Sequence, residues 1–500
     1  MTQGRLGAAL GVILILALAL FLRLYHIGWS FSSNGVDEGV MLERSLMVSH
    51  GYQIYSEIPC DQAPLAFYMG AALGSDVLVL RSFVAILSVL AIATSMLAAK
   101  KLGNTSAVLL TGLLLAVDFA LLRESRLFSL DAMSASFLAF SILPFLAYLK
   151  SGSRLALGVS GLMIGLSTMS KLLGVLGLIG MLVFLALEMR SRPVDRRRMA
   201  IDTAVLIIAA AIPVAMAMVA LGAGNMIQGM VLDQGHRGYD LGLKLSIFAF
   251  FAVNLAYLVP LVQARSLWKR RPEFRFLLSV SFVMLIFMIV QPLTFLHHMV
   301  MLSFPLAILA GVSISRALAL RRAPHGNAAG FVGQRDRWNA SPVVALALVG
   351  IMVSAGLGIY GLAEQNGSAQ AYYSKLVEDR SSPGQWIVSG DPLITAGASR
   401  LTPPDLINVA YRQYPELTEA ELESQILTYN VSIVVVCYRL NDFPGLPQFL
   451  LDNGYETPDG VFLWYHPVPE EPVLNLFENG LGPVTIFYKG TNFTSFASPA

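Results

Sequence analysis

Apolar runs as long as a membrane span recur along most of this sequence and constrain its fold more than any other feature. The first lies within residues 6–24 and contains the uninterrupted stretch A-L-G-V-I-L-I-L-A-L-A-L-F-L. A helix needs about 20 apolar residues to cross the hydrocarbon core of a bilayer. Since 55% of the 500 residues are hydrophobic and only 13% are charged, the chain is a polytopic α-helical membrane protein.

The length of these runs predicts about eleven transmembrane helices. They lie at residues 6–24, 82–99, 105–122, 132–149, 155–170, 172–189, 200–221, 245–263, 276–291, 299–320 and 342–362. The first run follows Arg5, as the core of a signal peptide would, but no small-residue cleavage site comes after it. We therefore expect it to be retained as the first helix.

The basic residues between the runs predict which side of the membrane each loop faces. Clusters of Lys and Arg fall in alternate loops, at Lys100-Lys101, at Lys150 with Arg154, from Arg190 to Arg198, at Lys269-Arg270-Arg271, and at Arg321-Arg322 with Arg335 and Arg337. Cytoplasmic loops are enriched in such residues. The opposite, extracytoplasmic side then receives residues 25–81, 123–131, the turn near Lys171, 222–244, 291–298 and everything after 363.

The last part of the chain has a different composition, rich in Pro, Asp, Asn and Gln, with no run of span length. Short apolar segments at 385–389, 432–438 and 460–465 are typical of strands, and residues 418–429 of an amphipathic helix. We therefore predict two domains: a membrane module at 1–362 that includes the loop 25–81, and an extracytoplasmic α/β domain at 363–500.

Composition also limits the partners and cofactors. The net charge of +2 is spread over short loop clusters, which indicates membrane topology and gives no reason to expect a nucleic-acid partner. The two cysteines, Cys60 and Cys437, exclude a disulfide framework and a cysteine-based zinc site, whereas a single bridge stays open. No spacing of residues is strongly typical of a metal site. Whether a divalent ion binds near Asp37 stays an open question.

The unusual polar residues all belong to the predicted extracytoplasmic ends of the spans, where ionisable groups are functional candidates. Adjacent carboxylates repel each other, so one can have a raised pKa suited to accepting a proton from a hydroxyl. Arginine and lysine on the same side suit a phosphate. The candidates are the acidic pair Asp37 and Glu38, together with Arg126, Asp131, Lys171, His297 and His298.

Structural roles compete with these functional ones. The acidic pair and Asp131 can each stabilise the first turn of a helix, and Lys171 can extend its ammonium group to the interface. His297 and His298 can be interface residues. Because neighbours on a helix point about 100° apart, they cannot form an i, i+4 metal pair.

The order of the motifs resembles that of the GT-C integral-membrane glycosyltransferases, especially the branch of protein O-mannosyltransferases and the lipid A aminoarabinose transferase. The similarity extends over roughly residues 1–320. After the acidic pair come G-Y-Q-I-Y-S-E-I-P-C-D-Q-A-P-L from Gly51, S-R-L-F-S-L-D-A from Ser125, L-S-T-M-S-K-L-L-G from Leu166 and H-H-M-V-M-L-S-F-P-L from His297.

This resemblance implies an inverting transferase that uses a polyprenyl-phosphate-linked hexose or pentose on the extracytoplasmic face. It implies that Asp37 is the base and that Glu38 supports it or binds the acceptor. Asp131 and Arg126 would shape the donor pocket, while Lys171 and His297 or His298 would face the lipid phosphate. The acceptor, a protein, glycan or lipid, stays open, because Gln62-Ala63 stand where lipid A-modifying members carry a basic residue.

Two other functions are compatible with the composition. A transporter of a lipid-linked or small anionic substrate would use Asp37, Asp131 and Lys171 as coupling or substrate residues near the middle of the membrane. A membrane-anchored sensor would bind its ligand through the outer domain and leave these residues idle. The position of the polar residues at the ends of the spans favours the enzyme.

Overall fold

The computed structural model describes residues 3–29, 35–191, 196–233, 239–322, 340–363, 369–407, 417–463 and 483–490. In chain order, the helices are α1 (Gln3–Leu24), α2 (Gly35–Ser49), α3 (Leu65–Ala72), α4 (Val77–Leu102), α5 (Thr105–Val117), α6 (Phe119–Glu124), α7 (Leu130–Ser151), α8 (Arg154–Ser170), α9 (Val175–Ser191), α10 (Arg196–Leu221), α11 (Ala223–Ile227), α12 (Leu245–Val253), α13 (Leu258–Val262), α14 (Ala264–Trp268), α15 (Pro272–Val290), α16 (Val300–Arg322), α17 (Ala340–Ala363), α18 (Ala369–Asp379), α19 (Pro392–Gly397), α20 (Glu419–Thr428) and α21 (Leu446–Asp452). Shorter 3-10 turns lie at Leu172–Gly174, Gly242–Lys244, Leu255–Tyr257, Leu296–Met299, Pro404–Leu406 and Tyr438–Asp442, and a π-helical turn lies at Gln228–Leu232.

Each predicted span coincides with a helical element. Among the described residues, eight helices are long and apolar enough to cross a membrane. The bent pair 242–253 and 255–262 brings the number to nine if the pair forms one span, and α5 and α8 are shorter apolar helices. The hairpin predicted around Lys171 is present, since α8 ends at Ser170 and α9 begins at Val175. The number of crossings stays a prediction.

Two predicted spans are not continuous helices. The run 105–122 breaks after Val117, because the Asp118 carboxylate accepts a hydrogen bond from the Leu121 N–H (3.0 Å) and starts the separate helix α6. The run 245–263 bends by 92° next to Asn254. Hydropathy averaged over a window does not detect such breaks, since one polar side chain changes the mean very little.

The membrane helices pack closely where glycines remove side chains from the contact. Gly161 and Gly165 of α8 lie one turn apart and face the backbone of α10. A Cβ atom would lie 2.6 Å from the Leu206 oxygen at the first position and 2.4 Å from the Ala210 oxygen at the second. Small residues at this spacing bring helices together in lipid, where van der Waals packing drives association.

The polar tail forms a small mixed sheet. Its strands are β1 (Ile387–Ser389), β2 (Ile433–Val436), β3 (Tyr455–Glu456), β4 (Val461–Leu463) and β5 (Pro483–Lys489). β1 runs parallel to β2, while β5 is antiparallel to β2, β3 and β4. Three strands lie within the segments predicted from sequence, and Thr418 caps the predicted helix, which is α20. β3 and β5 were not predicted.

The chain divides into two compact units. The first contains Met1–Ile27, Arg81–Ala220 and Arg237–Glu364, and the second contains Gly28–Leu80, Leu221–His236 and Gln365–Ala500. Sequence analysis assigned the loop 25–81 to the membrane module, whereas the structure groups nearly all of it with the α/β segment. The basic positions Arg335 and Arg337, residues 192–195 of the basic run and the strand residues 464–465 lie outside the described residues.

Candidate functional site

The acidic pair lies in the first turn of α2, in the second unit. Asp37 is half-buried, whereas Glu38 is 2% exposed. The two carboxyl groups therefore have different surroundings, although they are neighbours in sequence. Asp37 is therefore the more accessible of the two carboxyl groups, and their roles in a reaction stay a prediction.

Arg44, on the same helix, contacts the segment that follows α2. Arg44 is 1% exposed, and its Nη1 atom lies 3.2 Å from the Asp61 Oδ1 atom. Its guanidinium group also lies over the Phe67 ring, 5.7 Å from the centroid. Nearby, the Tyr55 hydroxyl donates to the Gln62 carbonyl oxygen at 2.5 Å. The segment that follows α2 is thus fixed by an ion pair between the buried Arg44 and the partly exposed Asp61, which the sequence analysis did not identify.

In the first unit, Lys171 and Asp131 form an ion pair. Asp131 begins α7 and Lys171 follows the last residue of α8, and these two helix ends meet. The Lys171 Nζ atom donates to the Asp131 Oδ2 atom at 2.5 Å, and their side chains are 13% and 7% exposed. Hydrogen bonds between Ser134 and Ser167 (2.9 Å between the two Oγ atoms) hold the helices in register below the pair.

His297 and His298 lie in the 3-10 turn before α16. Both are half-buried, and their rings contact each other edge to face with centroids 4.5 Å apart. The His297 ring also stacks on Phe295, at 5.3 Å. Lys171 and Arg123 interact electrostatically with His297. The structure therefore places Asp131, Lys171 and the two histidines in one cluster, at the ends of three helices.

This cluster also contains three side chains that offer metal ligands. Each of these side chains offers one ligand atom, and the three atoms lie within 4.8 Å of one another; the residues are Asp131, His297 and His298. The adjacent histidines therefore approach a common point, which the helical spacing argument did not anticipate. However, Asp131 already binds the Lys171 ammonium group, and Arg123 adds a second cation nearby. Each of these cations is paired with a carboxylate, Lys171 with Asp131 and Arg123 with Glu124, and a metal at this position stays an open alternative.

Arg126 donates hydrogen bonds to backbone carbonyl groups near the end of α1. Its Nη1 atom donates to the carbonyl oxygens of Leu22 (2.8 Å) and Arg23 (3.1 Å), and Nη2 donates to that of His26 (3.3 Å). Leu22 and Arg23 belong to the last turn of α1, where backbone acceptors have no partner within the helix, and His26 follows the helix. Arg126 thus caps α1, and shaping of a donor pocket by this residue stays a prediction.

The last two residues of α6 form a buried ion pair next to the turn that leads to α7. The Arg123 Nε atom lies 3.1 Å from the Glu124 Oε1 atom, and the Ser129 hydroxyl donates to Glu124 Oε2 at 2.7 Å. Burial raises the pKa of Glu124. The sequence analysis did not include Arg123 and Glu124 among the site residues. Their pairing fixes the turn that carries Asp131.

Lys244 is a buried cation that the sequence analysis missed. Its ammonium group donates to the Met288 carbonyl oxygen (3.2 Å) and to the Thr294 hydroxyl (2.9 Å). It therefore satisfies acceptors at the C-terminal end of α15, which is a structural role.

One protein family matches part of the chain. The profile of the dolichyl-phosphate-mannose-protein mannosyltransferases matches residues 61–216. This segment includes Arg126, Asp131 and Lys171. No curated protein sequence is detectably similar to the chain.

Several solved structures resemble this one over most of its length. ArnT from Cupriavidus metallidurans, bound to undecaprenyl phosphate, has a TM-score of 0.63 at 16% identity, over 98% of this chain and 99% of that chain. Apo ArnT from the same organism has a TM-score of 0.62 at 14% identity, over 96% of this chain and 98% of that chain.

The Archaeoglobus fulgidus oligosaccharyltransferase is a further match. Its apo form has a TM-score of 0.57 at 16% identity, over 90% of this chain and 73% of that chain. The solved neighbours and the matching profile all represent the same membrane architecture. The protein described here is therefore a multi-pass membrane protein with the GT-C glycosyltransferase fold.

Proposed function

We propose that this protein is an inverting glycosyltransferase that moves a sugar from a polyprenyl-phosphate donor to an acceptor hydroxyl on the extracytoplasmic face. One observation supports this most: the fold matches, over nearly the whole of both chains, a structure solved with undecaprenyl phosphate bound. Lys171, which lies beside Asp131 and His297 at the ends of helices, adds a cationic side chain of the kind that binds a phosphate.

In the proposed reaction, the acceptor oxygen attacks C1 of the sugar from the face opposite the phosphate. The bond between C1 and the phosphate oxygen breaks, and the polyprenyl phosphate leaves with the electron pair. The Asp37 carboxylate takes the proton of the acceptor hydroxyl. No general acid is required, because Lys171 can stabilise the charge of the departing phosphate.

Glu38 and the histidines have supporting roles in this proposal. The buried Glu38 orients Asp37 or the acceptor, and His297 or His298 contacts the phosphate. Asp131 orients the Lys171 ammonium group through their 2.5 Å hydrogen bond. The matching family profile favours a protein acceptor and a hexose, whereas the likeness to ArnT spans more of the chain, so sugar and acceptor are both left to experiment.

The first experiment measures transfer from radiolabelled polyprenyl-phosphate sugars in membranes containing the wild type or Asp37→Asn. Total membrane extract is the acceptor, and fractionation into protein, glycan and lipid identifies the product. We expect Asp37→Asn to reduce transfer by about 10²- to 10⁴-fold, which is the usual contribution of a general base.

Glu57→Gln is the matched control, because this exposed glutamate lies in the same long loop and its substitution also replaces a carboxylate by an amide. It should transfer as well as the wild type. Equal transfer by Asp37→Asn and the wild type would remove Asp37 from the chemistry. Absence of transfer from every donor by folded wild-type protein would refute the enzyme and favour a transporter of lipid-linked or anionic substrates.

A further inference from the structure

The first turn of α2, which carries the acidic pair, is in backbone contact with the segment that follows β1. A Cβ atom at Gly39 would lie 2.3 Å from the Leu393 nitrogen and 2.9 Å from the Leu393 Cα atom. Only glycine allows so close an approach without a shift of one backbone. Gly39 directly follows Glu38, and Leu393 lies in the first turn of α19, which Asp391 precedes.

A second contact, one turn further along α2, joins the same two segments. The Thr402 hydroxyl donates a hydrogen bond to the Glu43 Oε1 atom, and both residues are buried, at 2% and 3% exposure. Residues 39 and 43 are four apart and therefore share one face of the helix. This face of α2 lies on residues 391–402, so a segment distant in sequence determines where the acidic pair is held.

Asp391 is an ionisable group of that segment that interacts electrostatically with Glu38. It is completely buried and caps α19, since its Oδ1 atom accepts a hydrogen bond from the Leu393 N–H at 3.0 Å. Burial raises the pKa of Asp391 from 3.8 to about 6, and the charge of Glu38 contributes in the same direction. A buried carboxyl group that faces a second carboxyl group is a costly arrangement for a purely structural cap.

Apart from Glu38, the side chains that interact with Asp391 in the described part of the chain are uncharged at neutral pH. Gln370 of α18 forms a hydrogen bond with it, and the Cys437 thiol follows β2. Burial raises the pKa of Cys437 to about 12 and that of Tyr373, on α18, also to about 12. Among the described residues around Asp391, Glu38 is therefore the neighbour whose charge raises the pKa of Asp391.

We propose that Asp391 is a positioning residue for the acidic pair Asp37 and Glu38. It fixes the start of α19 against Gly39, and it places a further negative charge beside Glu38. This inference depends on the proposed function, in which Asp37 is the base. It gives the α/β segment a role in the reaction, which neither the sequence nor the comparisons assign to that segment.

The test compares Asp391→Asn with Asp405→Asn across the pH profile of transfer. Asparagine preserves the helix cap but cannot carry a charge. Asp405 is an exposed aspartate of the same segment whose carboxylate accepts from Tyr429 (2.9 Å), so it controls for loss of a carboxylate as such. Transfer is measured from about pH 5 to pH 9, with kcat and KM for the donor determined separately.

We expect Asp391→Asn to move the acidic limb of kcat/KM to lower pH by about one unit, because a neighbouring negative charge has been removed. A weaker base should lower kcat about threefold and leave the donor KM unchanged. Asp405→Asn should follow the wild type. An Asp391→Asn profile identical to that of Asp405→Asn would overturn the positioning role and leave the proposed function intact.

A stability measurement tests the same contact without any activity. The folded pKa of Asp391 exceeds its unfolded value, so the folded state is favoured most below about pH 4 and loses this stabilisation as the pH rises through about 6. The wild-type unfolding temperature should fall over this interval, and that of Asp391→Asn should fall less and exceed it at pH 7. Parallel curves would contradict an interaction between the buried carboxyl groups of Asp391 and Glu38.

If the wild type transfers no sugar at any pH, the proposed function fails, and the positioning role fails with it.

Discussion

At the scale of single residues, substitutions at Lys171 can distinguish a function in phosphate binding from a structural role in its ion pair with Asp131. Its ammonium group binds Asp131 at 2.5 Å and lies near His297. We expect Lys171→Gln to lower kcat/KM for the polyprenyl-phosphate donor by about 10- to 100-fold, as loss of a charge-assisted hydrogen bond of about 1.5–3 kcal/mol implies. Most of this change should appear as a higher KM for the donor, measured in membranes.

The double variant Lys171→Gln/Asp131→Asn distinguishes phosphate binding from simple destabilisation. Removing one partner of a buried pair leaves the other uncompensated, whereas removing both relieves that cost. The double variant should therefore recover the unfolding temperature lost in Lys171→Gln without recovering transfer. Recovery of both would show that Lys171 acts only through the fold.

Other charged residues look alike in the sequence but have different roles. Arg126 caps the carbonyls of α1, and the buried Arg23 donates to the Ala19 oxygen (3.1 Å) and the Leu115 oxygen (3.3 Å). Both are arginines near the end of a span, as a phosphate-binding residue would be. Sequence alone cannot separate these roles, because the partners are backbone atoms of residues distant along the chain.

At the scale of helices, the glycines of α8 give a prediction about packing in the membrane. A Cβ atom at Gly161 would lie 2.6 Å from the Leu206 oxygen, whereas one at Gly158, a turn earlier, would lie 3.9 Å from a Val205 methyl group. Gly161→Ala should therefore lower the stability by about 1–3 kcal/mol through overpacking. Thermal unfolding of the purified protein in detergent measures this effect.

Gly158→Ala is the control, since it adds the same methyl group to the same helix at ordinary contact distance. It should leave the unfolding temperature unchanged or raise it slightly, because alanine favours helix over glycine. Equal losses in the two variants would indicate that helix propensity or lipid contact, and not the contact with α10, determines the effect.

The helices also show where prediction from sequence was accurate and where it was not. The ends of α8 and α9 around Lys171 agree with the prediction, because a polar residue between two apolar runs is a strong local signal. The breaks at Asp118 and Asn254 were missed. Asp118 caps α6 and accepts from the Tyr257 hydroxyl (2.7 Å), a contact made possible only by the packing of distant segments.

At the scale of the whole molecule, the distribution of Lys and Arg predicts the side on which each loop lies. Both native cysteines are buried free thiols, so their replacement by alanine gives a background for labelling. In that background we expect a membrane-impermeant maleimide to label Gln448→Cys in right-side-out vesicles. Ser151→Cys, in the loop with Lys150 and Arg154, should react only after permeabilisation.

Both positions are exposed, so access to the thiol depends on the side of the membrane and not on burial. The reverse pattern would place the basic loops outside and would refute the predicted orientation of the site. Labelling of both positions in sealed vesicles would refute the assignment of these two segments to opposite sides.

The sequence by itself determined the membrane class, the places of the spans and the residues worth examining as a site. These follow from hydropathy and charge, which are local properties read within a window of about 20 residues. Only the tertiary structure decided which charges meet: Lys171 with Asp131, Arg44 with Asp61, and Asp391 beside Glu38. Such pairs join residues far apart in the chain, and their geometry depends on how the elements pack, which no local pattern encodes.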